Sequence, residues 1–276
     1  MMYHYQRSYR GPIRALIMDL AGTCVDFGST APIHAFKQLF ADNGVMISGV
    51  EARAPMGSEK REHIRALLAM PRIAEAWRST HGSAAGKADI DRLYRDFVPV
   101  QVAAIAERAR AIAGLSDLLE YCHRRGIRVG VNTGYGREMI EGLLSALADQ
   151  GFMPESVVCA TDVAAGRPAP HMCLQGAMEL EAPCVQACVK VDDTVVGIEE
   201  GLNAGMWSIG VAVSGNAVGL SLEAWRVLPE PERQVLRERA HQRLRSAGAH
   251  AVIDSIAELP DLLIELDGRL ARGERP

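Results

Sequence analysis

Short apolar runs recur along the chain at Ile13–Asp19, Ile127–Thr133, Ser156–Cys159, Val189–Asp193 and Trp207–Val211. Amphipathic stretches lie between and after the later ones, at Leu118–Arg125, Arg137–Asp149, His171–Leu180 and Val195–Ala204. A short run that is apolar at nearly every position reads as a strand buried on both faces. Such strands alternating with amphipathic helices build a parallel sheet with helices on both faces, so the chain reads as α/β. Several runs end in polar residues: Asp19, Thr133, Asp192 and Asp193. In open α/β sheets the ligand crevice lies beyond the carboxyl ends of the strands, so these side chains are expected to converge there.

The alternation fails in one interval. Between about Phe27 and Glu107 there is no strand pattern, and helical patterns occupy Pro32–Asn43, Lys60–Leu68, Arg72–Ser79 and Ala88–Ala109. A helical block between the first and second strands predicts an inserted all-helical cap domain over residues 28–106. Residues 1–27 and 107–276 then form the core domain. Glu230–Arg245, rich in Arg and Glu, predicts a solvated helix face. The tail Gly268–Pro276 is expected to fray.

With 48% hydrophobic and 23% charged residues in 276, the composition is that of a globular protein and excludes disordered and collagen-like classes. A net charge of −4 argues against a broad nucleic-acid or anionic-membrane surface, while leaving room for a local anion site. No segment reaches the roughly 18–20 apolar residues that a membrane helix needs. The polar, aromatic N-terminus carries no apolar signal core, so a cytoplasmic protein is expected. Six cysteines without metal or disulfide spacing predict reduced, mostly buried thiols. Of the 30 basic residues only Lys37, Lys60, Lys87 and Lys190 are lysines, which narrows any lysine chemistry to four positions.

Asp19 ends the first strand in the string MDLAGT. Such an Asp caps a turn or acts as a nucleophile that attacks phosphorus and forms an aspartyl phosphate. Gly22 and neighbouring backbone N–H groups offer a cradle for phosphate oxygens. The later strand ends add Thr133-Gly134, a hydroxyl and an N–H for a phosphoryl group, then Arg167, a cation. Asp192-Asp193-Thr194 adds carboxylates suited to a hard metal such as Mg²⁺. Nucleophile, hydroxyl, cation and metal carboxylate in this order resemble the haloacid dehalogenase superfamily, which implies a Rossmann-like core. Phosphatases of that superfamily place a second Asp two residues after the nucleophile as general acid. Here that position is Ala21, whose methyl group donates no proton.

The helical block supplies another reactive group. In PMGSEKREH (Pro55–His63), Lys60 and His63 are three apart and share one helix face. This is either a surface pair or a desolvated lysine nucleophile beside a proton-moving histidine. A lysine that forms an imine with an aldehyde lets the electrons of an adjacent C–P bond flow into the iminium. The leaving group is then carbon, and no acid at Ala21 is required. Lys190, in a predicted strand and alternating away from Asp193, reads as structural.

The stretches DLAGTCVDFG, PMGSEKREHIRALLAMPRI, TGYGREMI, AGRPAPHMC and EEGLNAGMW resemble the phosphonoacetaldehyde hydrolases, a capped family of that superfamily. The resemblance implies hydrolysis of phosphonoacetaldehyde to acetaldehyde and phosphate, with Lys60 as Schiff base and Asp19 as nucleophile. It implies Mg²⁺ held by Asp19, the Ala21 carbonyl and Asp193, and proton movement by His63 with Met56. Gly22, Thr23, Gly57, Thr133, Gly134, Tyr135 and Arg167 would bind the phosphoryl group or shape its pocket. It also implies a homodimer paired through the caps. The chain departs from the family pattern at Leu20, Ser29 and Asp192, the last adding a carboxylate near the metal. A phosphatase or phosphomutase acting on esters is the alternative enzyme. A catalytically dead binding protein is the alternative outside catalysis.

Overall fold

The structure, a computed structural model, describes residues 8–276. Strand β1 (Ala15–Met18) is followed by five helices: α1 (Ala31–Asp42), α2 (Gly49–Arg53), α3 (Lys60–Ala69), α4 (Pro71–His81) and α5 (Lys87–Arg108). The chain then alternates through α6 (Leu115–Arg125), β2 (Arg128–Thr133), α7 (Arg137–Ala148), β3 (Ser156–Cys159) and α8 (His171–Glu179). It continues with β4 (Cys188–Asp192), α9 (Val195–Asn203), β5 (Trp207–Val211), α10 (Leu222–Val227), α11 (Glu230–Ser246), β6 (Ala251–Ile253) and α12 (Leu259–Ala271).

Among the described residues the strands form one parallel sheet of order β3-β2-β1-β4-β5-β6. Strand order reverses beside β1, and the crevice between the carboxyl ends of β1 and β4 is where such a sheet binds ligands. Met18 lies opposite both Val131 and Val191, so Asp19, Asn132 and Asp192 reach one level at the sheet edge. The β1 side chains alternate between two cores. Leu16 and Met18 join the large core that includes α6, α7 and α12, whereas Ala15 and Ile17 pack with Cys173, Leu180 and Met206.

Helices α1 to α5 form the cap inserted between β1 and β2. Its centre is a stack in which Phe36 lies 4.4 Å from Phe97 and 3.9 Å from the His63 ring, centroid to centroid. Trp77, Ile73 and Leu93 close the rest. Helix α5 runs to Arg108, two residues beyond the expected junction, and packs on α7, where Tyr94 donates to Glu138 at 2.8 Å.

Three short elements, α2, α10 and β6, carry too few residues for the sequence pattern to show them. The expected frayed tail is corrected: α12 extends to Ala271. Leu259, Leu263, Leu266 and Leu270, three or four residues apart, are fully buried on the face towards α6. An Arg269–Glu274 ion pair of 2.8 Å closes the helix end. Helix α11 buries only Ala240 and Leu244, as a solvated helix should. Truncating Leu266 to alanine removes a buried side chain from that seam and is expected to cost about 2–5 kcal/mol. Urea unfolding should show a lower midpoint at unchanged slope. An unshifted midpoint would mean that α12 contributes nothing to the core.

Candidate active site

Four carboxylates are buried at the switch point. Asp19 follows β1, Asp192 ends β4 and Asp193 follows it, and Glu200 comes from α9. Unpaired charges in such a place are untenable, so the compensating cations define the site. Arg167 donates from Nη2 to Asp19 Oδ1 at 2.8 Å and from Nε to Glu200 at 2.9 Å. It also donates to the Asn132 side chain at 2.7 Å and backbone carbonyl at 3.0 Å. Lys190 pairs with Asp192 at 3.0 Å, approaches Glu200 at 3.4 Å and donates to Asn132 Oδ1. Asn132 returns its amide to Glu200 at 3.1 Å. The guanidinium aimed at Asp19 is therefore fixed from behind by Glu200, Asn132 and Asp192.

Asn132, Lys190 and Glu200 are the residues that sequence reasoning missed as parts of the site. Lys190 is structural as expected, though in the support of Arg167. The available signal was charge: a Lys inside an apolar strand and a Glu on a buried helix face need partners. Asp192, a departure from the family pattern, does not idle beside the metal carboxylates. Its Oδ1 accepts from Thr194 N at 3.0 Å and from the Thr194 hydroxyl at 2.7 Å, and its other oxygen faces Lys190 and Arg167. Burial raises its pKa, but the two cations outweigh burial and hold it below the usual carboxylate range.

Asp193 is the opposite case. Its Oδ2 accepts from Asn216 N at 2.6 Å, while its Oδ1 is buried with no hydrogen-bond partner. Burial, then the neighbouring Asp19 and Asp192 charges, push its pKa well above the ordinary value. Burial likewise raises Asp19, with Arg167 opposing. Oxygens of Asp19, Asp192 and Asp193 lie within 4.8 Å of one another. Among the described residues, the cations ion-paired with these four carboxylates are Arg167 and Lys190, and none is paired with Asp193. A divalent cation between Asp19 and the open oxygen of Asp193 fits that donor set and that charge deficit.

The cleft above these groups is lined by Asp19, Ala21, Ser29, Met56, Gly57, Lys60, Thr133, Gly134, Tyr135, Arg167 and Asp193, with Pro32 and Thr194. Most of the residues expected at the site are thus brought together. Gly22, Thr23 and His63 are the exceptions. Gly22 adopts φ +88°, and a Cβ there would collide with the Asp193 carboxylate, so it makes room for Asp193 rather than lining the cleft. Thr23 is fully buried behind it. The cap loop reaches the core through backbone: a Cβ on Gly134 would sit 2.7 Å from the Ser58 carbonyl. Thr133 is held by its own turn, its hydroxyl accepting from Tyr135 N at 3.2 Å.

Lys60 opens α3, and Glu59 caps that helix by accepting from Arg61 N and Glu62 N. The lysine is 3% exposed, its ammonium sits 4.8 Å from the Tyr135 ring centre, and among the described residues its one acceptor is the Ser58 carbonyl at 3.4 Å. Burial lowers its pKa to about 8, with Asp19 opposing and Arg167 adding to the fall. The positive end of the helix dipole also disfavours an ammonium there. His63 does not line the cleft. It is fully buried against Phe36 and meets the Ala52 carbonyl at 2.9 Å through Nε2, which must carry the proton. Burial, then the Lys60 charge, drive its pKa well below the ordinary value, and its Nδ1 has no partner. The cleft holds only about 20 Å³ with the cap in this closed position.

Residues 13–205 match the haloacid dehalogenase-like hydrolase family. The chain is 54% identical over 276 residues to a phosphonoacetaldehyde hydrolase of Hahella chejuensis, covering 100% of this chain and 94% of that protein. It is 46% identical over 264 residues to one of Paraburkholderia phytofirmans, covering 96% and 99%. The crystal structure of a phosphonoacetaldehyde hydrolase-like protein from Oleispira antarctica aligns over 100% of both chains, with a TM-score of 0.98 and 50% identity. The cap inserted after β1, the Asp19–Arg167–Asp193 crevice and these full-length matches agree: the chain belongs to the phosphonoacetaldehyde hydrolase family of haloacid dehalogenase-like hydrolases.

Proposed function

We propose that this enzyme cleaves the C–P bond of phosphonoacetaldehyde, with Lys60 as imine-forming residue and Asp19 as phosphoryl acceptor. One observation carries the reading: a desolvated Lys60 faces the same closed cleft as Asp19, while Ala21 stands where an ester phosphatase needs an acid. The neutral Lys60 amine adds to the aldehyde carbon, the carbinolamine hydroxyl takes up one proton from solvent and departs as water, and an iminium is left. An Asp19 oxygen attacks phosphorus, the C–P bond breaks, and its electron pair enters the iminium to give an enamine. Protonation at carbon and hydrolysis release acetaldehyde and free Lys60. Water then cleaves the aspartyl phosphate to phosphate and restores Asp19.

Arg167, with Thr133 and Gly134, holds the phosphoryl oxygens, and Gly57 and Tyr135 shape the space around them. Mg²⁺, held by Asp19, Asp193 and the Ala21 carbonyl, would neutralise charge on the phosphoryl oxygens. Asp192, one oxygen bonded to Thr194 and the other ion-paired with Lys190 and Arg167, sets the field rather than binding the metal. His63 fastens the Lys60 helix through Ala52 and leaves Nδ1 as an acceptor behind it, while Met56 closes the cleft beside the lysine. Exposed Met46 and Val50 on the cap offer apolar surface for pairing two copies, the homodimer that the family likeness suggests. An ester phosphatase would need an acid that Ala21 lacks.

The direct test is acetaldehyde release from phosphonoacetaldehyde with Mg²⁺. Wild type is expected to turn over, and Lys60→Arg, which keeps the charge but forms no stable imine, is expected to lose at least about 1,000-fold. Full activity in Lys60→Arg would overturn the imine. Because the free amine is the nucleophile, kcat/KM should rise with pH through about 8 and level off above it. A profile flat from pH 6 to 9 would contradict that assignment. The same burial has a structural cost. A lysine shifted from 10.5 to about 8 on folding destabilises the fold below pH 8 by on the order of 3 kcal/mol. That penalty fades as pH rises from 8 towards 10.5. Lys60→Met should therefore be inactive yet melt higher than wild type at pH 7. A lower melting temperature would show that Lys60 is not under desolvation strain.

A further inference from the structure

Helix α2 ends at Arg53, one loop before Lys60. The Arg53 side chain leaves the cap and crosses to the core. Its Nη1 donates to Asn216 Oδ1 at 2.9 Å and to the Gly28 carbonyl at 3.0 Å, and its Nη2 donates to the Gly219 carbonyl at 2.7 Å. Ser29 O is a further acceptor at 3.3 Å. Gly28 and Ser29 belong to the segment leading from core to cap, and Asn216 and Gly219 to the loop after β5. One cap side chain thus ties the linker, the cap and the core loop together. Among the described residues no carboxylate hydrogen-bonds to Arg53, and all these acceptors are neutral. The fork fastens through hydrogen bonds to neutral acceptors, while Asp193 and Asp26 lie near enough to feel its charge without hydrogen-bonding to it.

Both ends of this fastening reach reacting groups. On the core side, the backbone N–H of Asn216 donates to Asp193 Oδ2 at 2.6 Å. On the cap side, the carbonyl of Ala52, next to Arg53, accepts from His63 at 2.9 Å, which pins α2 to the helix that begins with Lys60. We propose that Arg53 is a positioning residue, a latch that holds the cap closed and sets Lys60 in register with the Asp193 loop. It touches neither substrate nor metal carboxylate. This inference rests on the proposed role of Lys60 only for its kinetic consequence. The latch itself is a matter of cap closure.

The test is Arg53→Gln and Asn216→Ala, singly and combined, each checked for folding by its melting curve. Two readouts are taken. The first is acetaldehyde release, where kcat is expected to fall at least about tenfold while KM moves less than about threefold. That split is expected because the core groups that bind phosphoryl are untouched. The second is acylation of Lys60 by an N-hydroxysuccinimide ester without substrate, read by peptide mass spectrometry against the exposed Lys37 and Lys87. Lys60 should be protected in wild type and label at least about tenfold faster in Arg53→Gln. The double variant should be no worse than Arg53→Gln alone, since both changes break one link. Wild-type kcat in Arg53→Gln, unchanged Lys60 protection, or fully additive losses would each overturn the latch. If Arg53→Gln does not fold, Asn216→Ala carries the same two readouts with a milder change. If wild type releases no acetaldehyde, the proposed reaction fails while the labelling still decides the latch.

Discussion

Burying Asp19, Asp192, Asp193 and Glu200 around one crevice is the constraint on which the rest of the site depends. Buried carboxylates persist only where cations and hydrogen-bond donors replace water. Arg167 and Lys190 do this for Asp19, Asp192 and Glu200, with Asn132 bonded to both cations. The outcome is asymmetric. Asp192 gives one oxygen to Thr194 and ion-pairs the other with Lys190 and Arg167, whereas Asp193 keeps a buried oxygen with neither a hydrogen bond nor an ion pair among the described residues. The fold thereby separates two roles among adjacent residues of one strand end: Asp192 stabilises the cations, and Asp193 remains available to a metal.

The cap imposes a second electrostatic demand on the same small volume. Buried under the cap, the Lys60 ammonium is without bulk water and, among the described residues, has one carbonyl as acceptor in exchange. A lysine that would be inert in water is poised near neutrality by that loss. The carboxylate array below limits the fall, since Asp19 favours the charged lysine. Closure is built from backbone as much as from side chains, because the cap loop rests directly on Gly134 and Thr194. Any side chain added there would hold the two halves apart.

Much of this was legible in the sequence. The apolar runs of β2 to β5 and the acids at the ends of β1 and β4 mark the sheet and its switch point, because a strand buried on both faces is apolar at most positions, Asn132 in β2 and Lys190 in β4 being polar positions that the site pairs. The missing acid at Ala21 and the Lys60 motif point to the chemistry. What could not be read lies in long-range pairing. Glu200 sits in an ordinary amphipathic pattern, and nothing local says that it faces Arg167 and Asn132 across the sheet edge. His63 shares a helix face with Lys60, as its spacing requires, yet the same face also packs on Phe36, and packing won. The leucines of α12 do carry a helical period, but Gly268 and the polar residues after it masked its end.

The central claim is that one lysine in the cap becomes covalently joined to the substrate's carbon. Borohydride reduction during turnover, followed by peptide mass spectrometry, measures that directly. The account predicts a reduced two-carbon adduct on Lys60 alone among Lys37, Lys60, Lys87 and Lys190, formed only when an aldehyde substrate is present. Sustained acetaldehyde release with no adduct, or with the adduct on another lysine, would contradict it.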